Sequence, residues 1–264
     1  MVEKNEKFPN AFEGILLAVA LMLGEYLIGA ALYDMHVLSS MSAIDAGGMV
    51  MVISNALIFT AVMEYKGLTY RELFHSSSSR AGPSLTLIVP AILLTVPMLV
   101  LVVSFSLELV VRLFPLSASQ TEMFKEMGAG SVGSIVIACV LAPVLEEMLF
   151  RGIILRSFLL QYPRWISILG SALIFGAAHM NLYQFTAALM LGIFLGWLYQ
   201  RSRSLLPCIV LHGVYNGTLL LLNHADARWA TEQGANRTAL LLTAAVIVGA
   251  AGLSLLRRVL PAKD

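Results

Sequence analysis

The stretch LAPVLEEMLFRG, residues 141–152, places two adjacent glutamates and an arginine inside a strongly hydrophobic segment. Two other hydrophobic segments also carry polar side chains: His179 ends IFGAAH, and His212 and Asn216 lie in LHGVYN. One charged residue at the centre of a membrane helix costs about 2.5 to 3.5 kcal/mol on insertion scales, so such residues indicate a functional site. The sequence thus predicts helices that cross a membrane and carry a polar site between them.

The composition of the whole chain is that of a membrane protein. Of its 264 residues, 58% are hydrophobic and 12% are charged, with a mean hydropathy of +0.83, whereas soluble domains have about 25% charged residues. The net charge of +1 and the lack of a Lys/Arg-rich run argue against a nucleic-acid partner. Cys139 and Cys208 fall in hydrophobic segments, where a disulfide framework is not expected. The predicted class is all-α and polytopic, embedded in the lipid bilayer.

Windows of about 20 apolar residues are long enough to cross the hydrocarbon core as helices, and eight are present. They cover residues 12–33, 47–63, 85–107, 131–160, 165–180, 182–199, 205–222 and 239–256. No internal repeat or linker divides them. Residues 1–264 are therefore predicted to form a single membrane domain of eight transmembrane helices around a polar cavity.

The distribution of basic residues predicts the orientation of the chain. Eight spans place both termini on one side, and 13 of the 17 Lys and Arg residues fall on that side. The four on the opposite side are Arg112, Lys125, Arg228 and Arg237. Because cytoplasmic loops carry the excess of Lys and Arg, both termini are expected in the cytoplasm.

Three connecting segments are long enough to have structure of their own, and the polar third one, residues 224–237, is predicted to be a simple connector. Residues 65–84 contain Leu73 and Phe74 beside basic residues, which fits either a short helix on the cytoplasmic membrane surface or an ordinary solvated loop. Residues 117–130 place Phe124 on the apolar side of a possible helix. That helix would either cap the mouth of the cavity or rest on lipid headgroups.

Spacing within the first polar segment separates its two glutamates. Glu147 and Arg151 are four residues apart, so they share a helix face and are predicted to form an ion pair. Glu146 lies about 100° round the helix, has no partner on its own segment and is free to face a cavity. Pro143 removes a backbone donor just upstream and opens the helix there. The alternative is that Glu147 and Arg151 form only a buried structural bridge.

The same spacing of four residues pairs Phe175 with His179 and His212 with Asn216. Taken singly, a membrane histidine or asparagine is more often an interhelical hydrogen-bond donor than a catalyst. The combination of an unpaired glutamate, two imidazoles and an amide favours a catalytic site. Two more polar residues inside predicted spans lack partners at this spacing and are predicted to be structural or cavity-lining: Glu25 and Asn55.

Three motifs in this order resemble those of the CPBP family, which comprises the type II CAAX prenyl proteases and their bacterial relatives, the Abi proteins. They are EExxxR at 146–151, FxxxH at 175–179 and HxxxN at 212–216. The similar region, about residues 131–222, would form the catalytic core. The resemblance implies an intramembrane endopeptidase that cuts a membrane-embedded or membrane-associated protein or peptide, and it favours a bacterial inner (plasma) membrane.

The resemblance also implies roles for the motif residues in a glutamate-type protease. Glu146 would activate water as the general base, and His179 would hold that water. His212 and Asn216 would stabilise the oxyanion, a contribution that is commonly the largest in catalysis. Three neighbours would support the site: Glu147, Arg151 and Phe175.

A catalytic metal is an open alternative, since the family was long described as metalloproteases. Glu146, His179 and His212 offer two imidazoles and one carboxylate, a ligand set that suits zinc with an open position for water. Against zinc, the chain has no HExxH motif, and Asn216 is a poor zinc ligand but a good oxyanion donor. No cofactor is therefore favoured.

The depth of His179 conflicts with an assembled site. His179 lies 14 residues beyond Trp165, roughly 21 Å along a helix axis, which is closer to the outer face than Glu146 at the middle of its span. A short or tilted fifth helix would reconcile the two.

Two other functions are weighed against the protease: a proton-coupled transporter, because intramembrane Glu and His also form proton relays, and a non-catalytic bacteriocin-immunity or binding protein.

Overall fold

The computed structural model describes residues 7–75, 81–127, 131–224 and 235–260, and these residues form ten helices and no β-strand. The helices are α1 (Ala11–Asp34), α2 (Ala43–Lys66), α3 (Tyr70–Phe74), α4 (Ala81–Leu113), α5 (Ala118–Met127), α6 (Val132–Gln161), α7 (Arg164–Ala177), α8 (Leu182–Ser202), α9 (Leu205–His224) and α10 (Ala235–Val259). Helix α10 packs along α4, and α8 packs along α7.

The polytopic all-α class predicted from the sequence is confirmed. Within the described residues, seven helices are long and apolar enough to cross a membrane, namely α1, α2, α4, α6, α8, α9 and α10. The one remaining predicted span, the fifth in chain order at residues 165–180, corresponds to α7, which has only 14 residues. The prediction of eight full spans is therefore corrected to seven spans and one shorter helix. Of the four basic residues predicted on the side opposite to the termini, Arg228 lies outside the described part of the chain.

Helix α7 is short because the chain turns back inside the apolar region. Pro163 precedes its first residue, and its last helical residue is Ala177. A left-handed residue, Met180, follows, and the Asn181 side chain then accepts hydrogen bonds from the backbone of Tyr183 and Gln184. An N-cap of this kind starts a new helix by satisfying its first free N–H groups. The apolar run that predicted one long span thus contains a helix end and a turn.

Helix α6 is continuous but contains two π-helical segments, Ile137–Leu141 and Met148–Leu155. Between them lies the α-helical turn Ala142–Glu147, which carries both glutamates. A π segment widens the helix and leaves backbone carbonyls for other donors, and such segments are frequent at functional sites. One such bond is visible here, since the Ser171 hydroxyl donates to the carbonyl of Phe150 at 2.9 Å. The predicted opening of this helix is therefore present on both sides of the glutamates.

The first connecting segment forms the helix α3 and packs against protein. Leu73 is 1% exposed, and its side chain lies against Gly152 in the second π segment of α6. The Ser204 hydroxyl donates to the carbonyl of Phe74, and the Arg156 guanidinium donates to the carbonyl of Glu72. Of the two alternatives left open for this segment, the short helix is present, and contacts with α6 and α9 hold it in place.

The second connecting segment contains α5, at the position predicted for a helix. Its Phe124 ring makes an edge contact with Tyr183, with 6.1 Å between ring centroids. The Tyr183 hydroxyl donates to the carbonyl of Phe114 at 2.7 Å. Because Tyr183 lies in the first turn of α8, just after His179, helix α5 packs beside the turn that carries His179.

The approach of α9 to α6 predicts a stability effect at Gly213. A methyl group there would collide with the backbone carbonyl oxygen of Cys139, which cannot move aside as a flexible side chain does. We expect Gly213→Ala to lower the free energy of unfolding by about 1 to 3 kcal/mol, as overpacking does. Gly24→Ala is the matched control, because nothing lies within 4 Å of its added methyl group, and it should change stability by less than about 1 kcal/mol. Unfolding in mixed micelles measures both, and equal effects would contradict the close approach.

Candidate active site

Glu147 lies at the centre of the buried polar groups. Its side chain is fully buried, and its Oε1 atom accepts a hydrogen bond from Arg151 Nη1 at 2.9 Å, so the predicted pair is present. The same oxygen lies 2.8 Å from His212 Nδ1. Arg151, also buried, donates through Nη2 to the carbonyl of Gly192 at 3.3 Å. The glutamate therefore joins α6 to α9, a link that spacing within one helix did not reveal.

Glu146 is partly exposed and lies on the other side of His212. Its side chain is 26% exposed, whereas that of its neighbour Glu147 is 0% exposed. His212 Nε2 lies 3.7 Å from Glu146 Oε2, which is too long for a direct hydrogen bond. With its Nδ1 hydrogen bonded to a carboxylate, the imidazole has a fixed orientation and directs Nε2 toward Glu146. The two glutamates thus differ in burial and in partners, as their spacing predicted.

The Phe175 ring lies between the cationic group and both imidazoles. It is 1% exposed, and the Arg151 guanidinium lies 4.5 Å from its centroid. Its centroid is 5.2 Å from that of His179 and 5.9 Å from that of His212, with both imidazoles edge-on. Both histidines therefore contact one aromatic ring, which brings His179 to the same part of the bundle as His212 despite the conflict expected from the sequence.

His179 is held at the end of α7. Its Nδ1 atom lies 3.0 Å from the carbonyl of Phe175, one helical turn earlier. Since a carbonyl oxygen only accepts, Nδ1 carries the hydrogen in this arrangement and Nε2 has its lone pair available. The side chain is partly exposed, so His179 can present Nε2 to a water molecule.

Asn216 is partly committed to the backbone of α6. Its Nδ2 atom donates to the carbonyl of Ala138 at 2.8 Å, within the first π segment. The amide nitrogen carries two hydrogens, so one remains for another acceptor. The sequence predicted Asn216 as a donor but not this bond, because no pattern identified the π segment that frees the carbonyl.

Glu25 is a further carboxylate near the site. It lies on α1, is partly buried, and is close enough to Glu146 for the two charges to interact. The sequence identified Glu25 as a charged residue inside a span but gave it no partner, because that partner lies on α6. Asn55 instead donates to the carbonyl of Met51 on its own helix at 2.9 Å, which fits the predicted structural role.

The residues considered as zinc ligands do not form a metal-binding cluster. Among the described residues, no three His, Cys, Asp or Glu side chains converge as ligands. Of the three candidates, His212 and Glu146 lie near each other, while the Nδ1 atom of His212 is used by Glu147. The bond at Nδ1 leaves Nε2 of His212 as the atom that could bind a metal, so the two-histidine, one-carboxylate site stays a prediction from the sequence.

Comparison with known proteins confirms the resemblance stated from the motifs. Residues 128–218 match the family described as type II CAAX prenyl endopeptidase Rce1-like. The chain is also 25% identical over 108 residues to the putative membrane peptidase YdiL of Bacillus subtilis. This matched region covers 41% of this chain and 44% of that protein. It thus spans less than half the length of this relative. No solved structure matches. With its apolar helices, the chain is an integral, multi-pass membrane protein.

Proposed function

We propose that the chain is an intramembrane endopeptidase that hydrolyses a peptide bond of a membrane-embedded or membrane-associated protein or peptide. The observation that carries the proposal is the contrast between two adjacent glutamates. Glu147 is buried and orients His212, while Glu146 is partly exposed and faces the other nitrogen of the same imidazole. The Rce1-like match over this region supports a peptidase and not another use of the same groups.

Glu146 is the general base in this proposal. It takes a proton from a water molecule as the water oxygen attacks the carbonyl carbon of the peptide bond. The carbonyl oxygen becomes an oxyanion in a tetrahedral intermediate. The proton then passes from Glu146 to the peptide nitrogen, the C–N bond breaks, and a carboxylic acid and an amine result, after which the acid gives its proton to the amine. His179 positions the water through the Nε2 atom that faces away from its own helix.

The remaining hydrogen of Asn216 Nδ2 is one donor to the oxyanion. His212 is the second, and the bond between its Nδ1 atom and Glu147 sets a condition on this role. Nε2 carries a hydrogen only when the ring is an imidazolium, and the buried carboxylate of Glu147 stabilises that cation. Arg151 and Phe175 hold Glu147 and the two imidazoles in place. No step uses a metal.

The substrate is proposed as a membrane protein or peptide of a bacterium, in an inner membrane with both termini of the enzyme in the cytoplasm. A peptide precursor or a tail-anchored protein suits such a cell better than a prenylated protein. The exposed apolar surface of the helices and the position of the glutamates within α6 support a reacting bond inside or next to the bilayer.

Comparing the membrane proteins of cells that make the active chain with those of cells that make Glu146→Ala tests the proposal. We expect new protein N-termini within or next to membrane segments only in the first cells. The cleavage should persist in purified protein treated with a zinc chelator, because the proposed mechanism uses Glu146 and no metal. Identical N-termini in both cells, with bacteriocin protection retained by Glu146→Ala, would support an immunity protein instead. Loss of cleavage with the chelator and recovery with zinc would contradict the metal-free mechanism.

A further inference from the structure

Three arginines from three helices meet at one end of the bundle. Arg164 begins α7, Arg201 lies in the last turn of α8, and Arg257 lies in the last turn of α10. Ile168, one turn after Arg164, lies against Gly196 near the end of α8, and Arg201 donates to the carbonyl of Leu260, one turn after Arg257. Like charges brought together in this way repel each other, so an anion between them would stabilise the arrangement.

No carboxylate of the described residues pairs with these arginines. The ion pairs found in the described ranges lie elsewhere, at Arg112, Lys125, Arg151 and His212. The Nε atoms of Arg164 and Arg201 are both buried and have no hydrogen-bond partner within those ranges. A buried donor without an acceptor lowers the stability of the fold. The cluster contains two such donors and the three positive charges of its guanidinium groups.

The protein fixes two of the three side chains. Arg201 donates through Nη1 to the carbonyl of Leu260 at 2.5 Å, and its guanidinium lies 5.1 Å from the Trp197 ring. The Arg164 guanidinium lies 5.1 Å from the ring of Trp165, which is 53% exposed. Guanidinium groups that are held in this way lose less conformational entropy when they bind an anion. Arg257 is exposed and completes the cluster from α10.

The position of the three arginines at the ends of their helices indicates which kind of anion would bind between them. All three arginines lie at helix ends, and the exposed Trp165 beside them is typical of the membrane–water interface. Basic pockets between membrane helices at this level suit lipid headgroups, and arginine binds phosphate through two parallel hydrogen bonds. We propose that Arg164, Arg201 and Arg257 form a binding site for the phosphate of an anionic phospholipid. A bound headgroup would fix the start of α7, the helix that carries Phe175 and ends next to His179.

Native mass spectrometry of the purified full chain in detergent, with added phosphatidylglycerol or phosphatidylcholine, tests this site. We expect tighter binding of phosphatidylglycerol, and about tenfold weaker binding by the triple variant R164Q/R201Q/R257Q, since a hydrogen bond to a charged group contributes about a factor of ten or more. R258Q is the matched control, because it removes the neighbouring exposed charge in the same turn of α10 and leaves the three arginines in place, and it should bind within about twofold of the unchanged protein. Equal binding by the triple variant and the control would overturn the proposal.

Two further measurements separate the possible sources of phosphate and control for folding. Inorganic phosphate should displace the lipid only at a concentration far above that of phosphatidylglycerol. If inorganic phosphate binds as tightly as the lipid, the ligand is a soluble phosphate and the assignment to a lipid is wrong. The single variant R201K keeps the charge but loses the planar fork, so it should fold and bind phosphatidylglycerol with an affinity between those of the unchanged protein and the triple variant. An unchanged affinity in R201K, together with a triple variant that fails to fold, would also overturn the site.

Discussion

Glu146→Gln is expected to lower the rate of peptide hydrolysis at least about 100-fold, the lower range for the loss of a general base. Glutamine has nearly the shape of glutamate, so the partly exposed side chain should remain beside His212 Nε2 without its ability to accept the water proton. The protein should still insert and fold, because no described hydrogen bond of Glu146 is lost. The rate of cleavage of a substrate found by the proteome comparison, in reconstituted vesicles, measures the effect.

Glu25→Gln is the matched control for this experiment. Glu25 is the carboxylate on α1 whose charge interacts with Glu146, and it is likewise partly buried in a membrane helix. Because no role in catalysis is assigned to Glu25, its amide variant should cleave within about tenfold of the unchanged protein. If Glu25→Gln abolished cleavage and Glu146→Gln did not, the general base would have been assigned to the wrong carboxylate.

Glu147→Ala is expected to lower the free energy of unfolding by about 3 to 5 kcal/mol, because it leaves a buried charge without its partner. Arg151 is 1% exposed and would keep only the carbonyl of Gly192 as a described acceptor. His212 would lose the bond that orients its ring, so cleavage should be lost as well. Reversible unfolding in mixed micelles measures the stability, and the same preparation is assayed for cleavage.

The exposed pair formed by Glu108 and Arg112 provides the control for Glu147→Ala. It has the same spacing of four residues and the same residue types, but its side chains are 58% and 73% exposed. Glu108→Ala should therefore cost no more than about 1 kcal/mol, as exposed pairs do. The double variant Glu147→Ala/Arg151→Met should recover part of the lost stability, since it removes the stranded charge. A cost for Glu147→Ala no larger than that for Glu108→Ala would contradict a buried pair.

The contacts that could be predicted from the sequence are those made within one helix. The pairing of Glu147 with Arg151 follows from their spacing, and the apolar windows located every membrane helix that the structure describes. Hydropathy could not find the end of α7, because Ala177 and Ala178 are as apolar as a continuing span. The turn there depends on Met180 and on the Asn181 cap, which are local backbone effects inside an apolar run.

The parts of the site that could not be predicted are those that join different helices. The bond between Glu147 and His212 and the nearness of Glu25 to Glu146 depend on how α1, α6 and α9 pack. Apart from Pro143, no sequence pattern predicts the π segments of α6, although the first of them provides the carbonyl that accepts a hydrogen bond from Asn216. Because a sequence contains no distances between helices, it indicated which side chains are candidates for the site but not which of their atoms are in contact.

The shortness of α7 also affects the surrounding lipid. Fourteen residues span about 21 Å, whereas the hydrocarbon core is about 30 Å thick. Its outward side chains, among them Ile166, Leu169 and Leu173, are exposed and would lie against acyl chains. Hydrophobic mismatch of this kind is relieved when the bilayer thins beside the helix. A thinner bilayer next to the turn at His179 would bring headgroup water closer to that imidazole and shorten the path of an extended peptide to the interior of the protein.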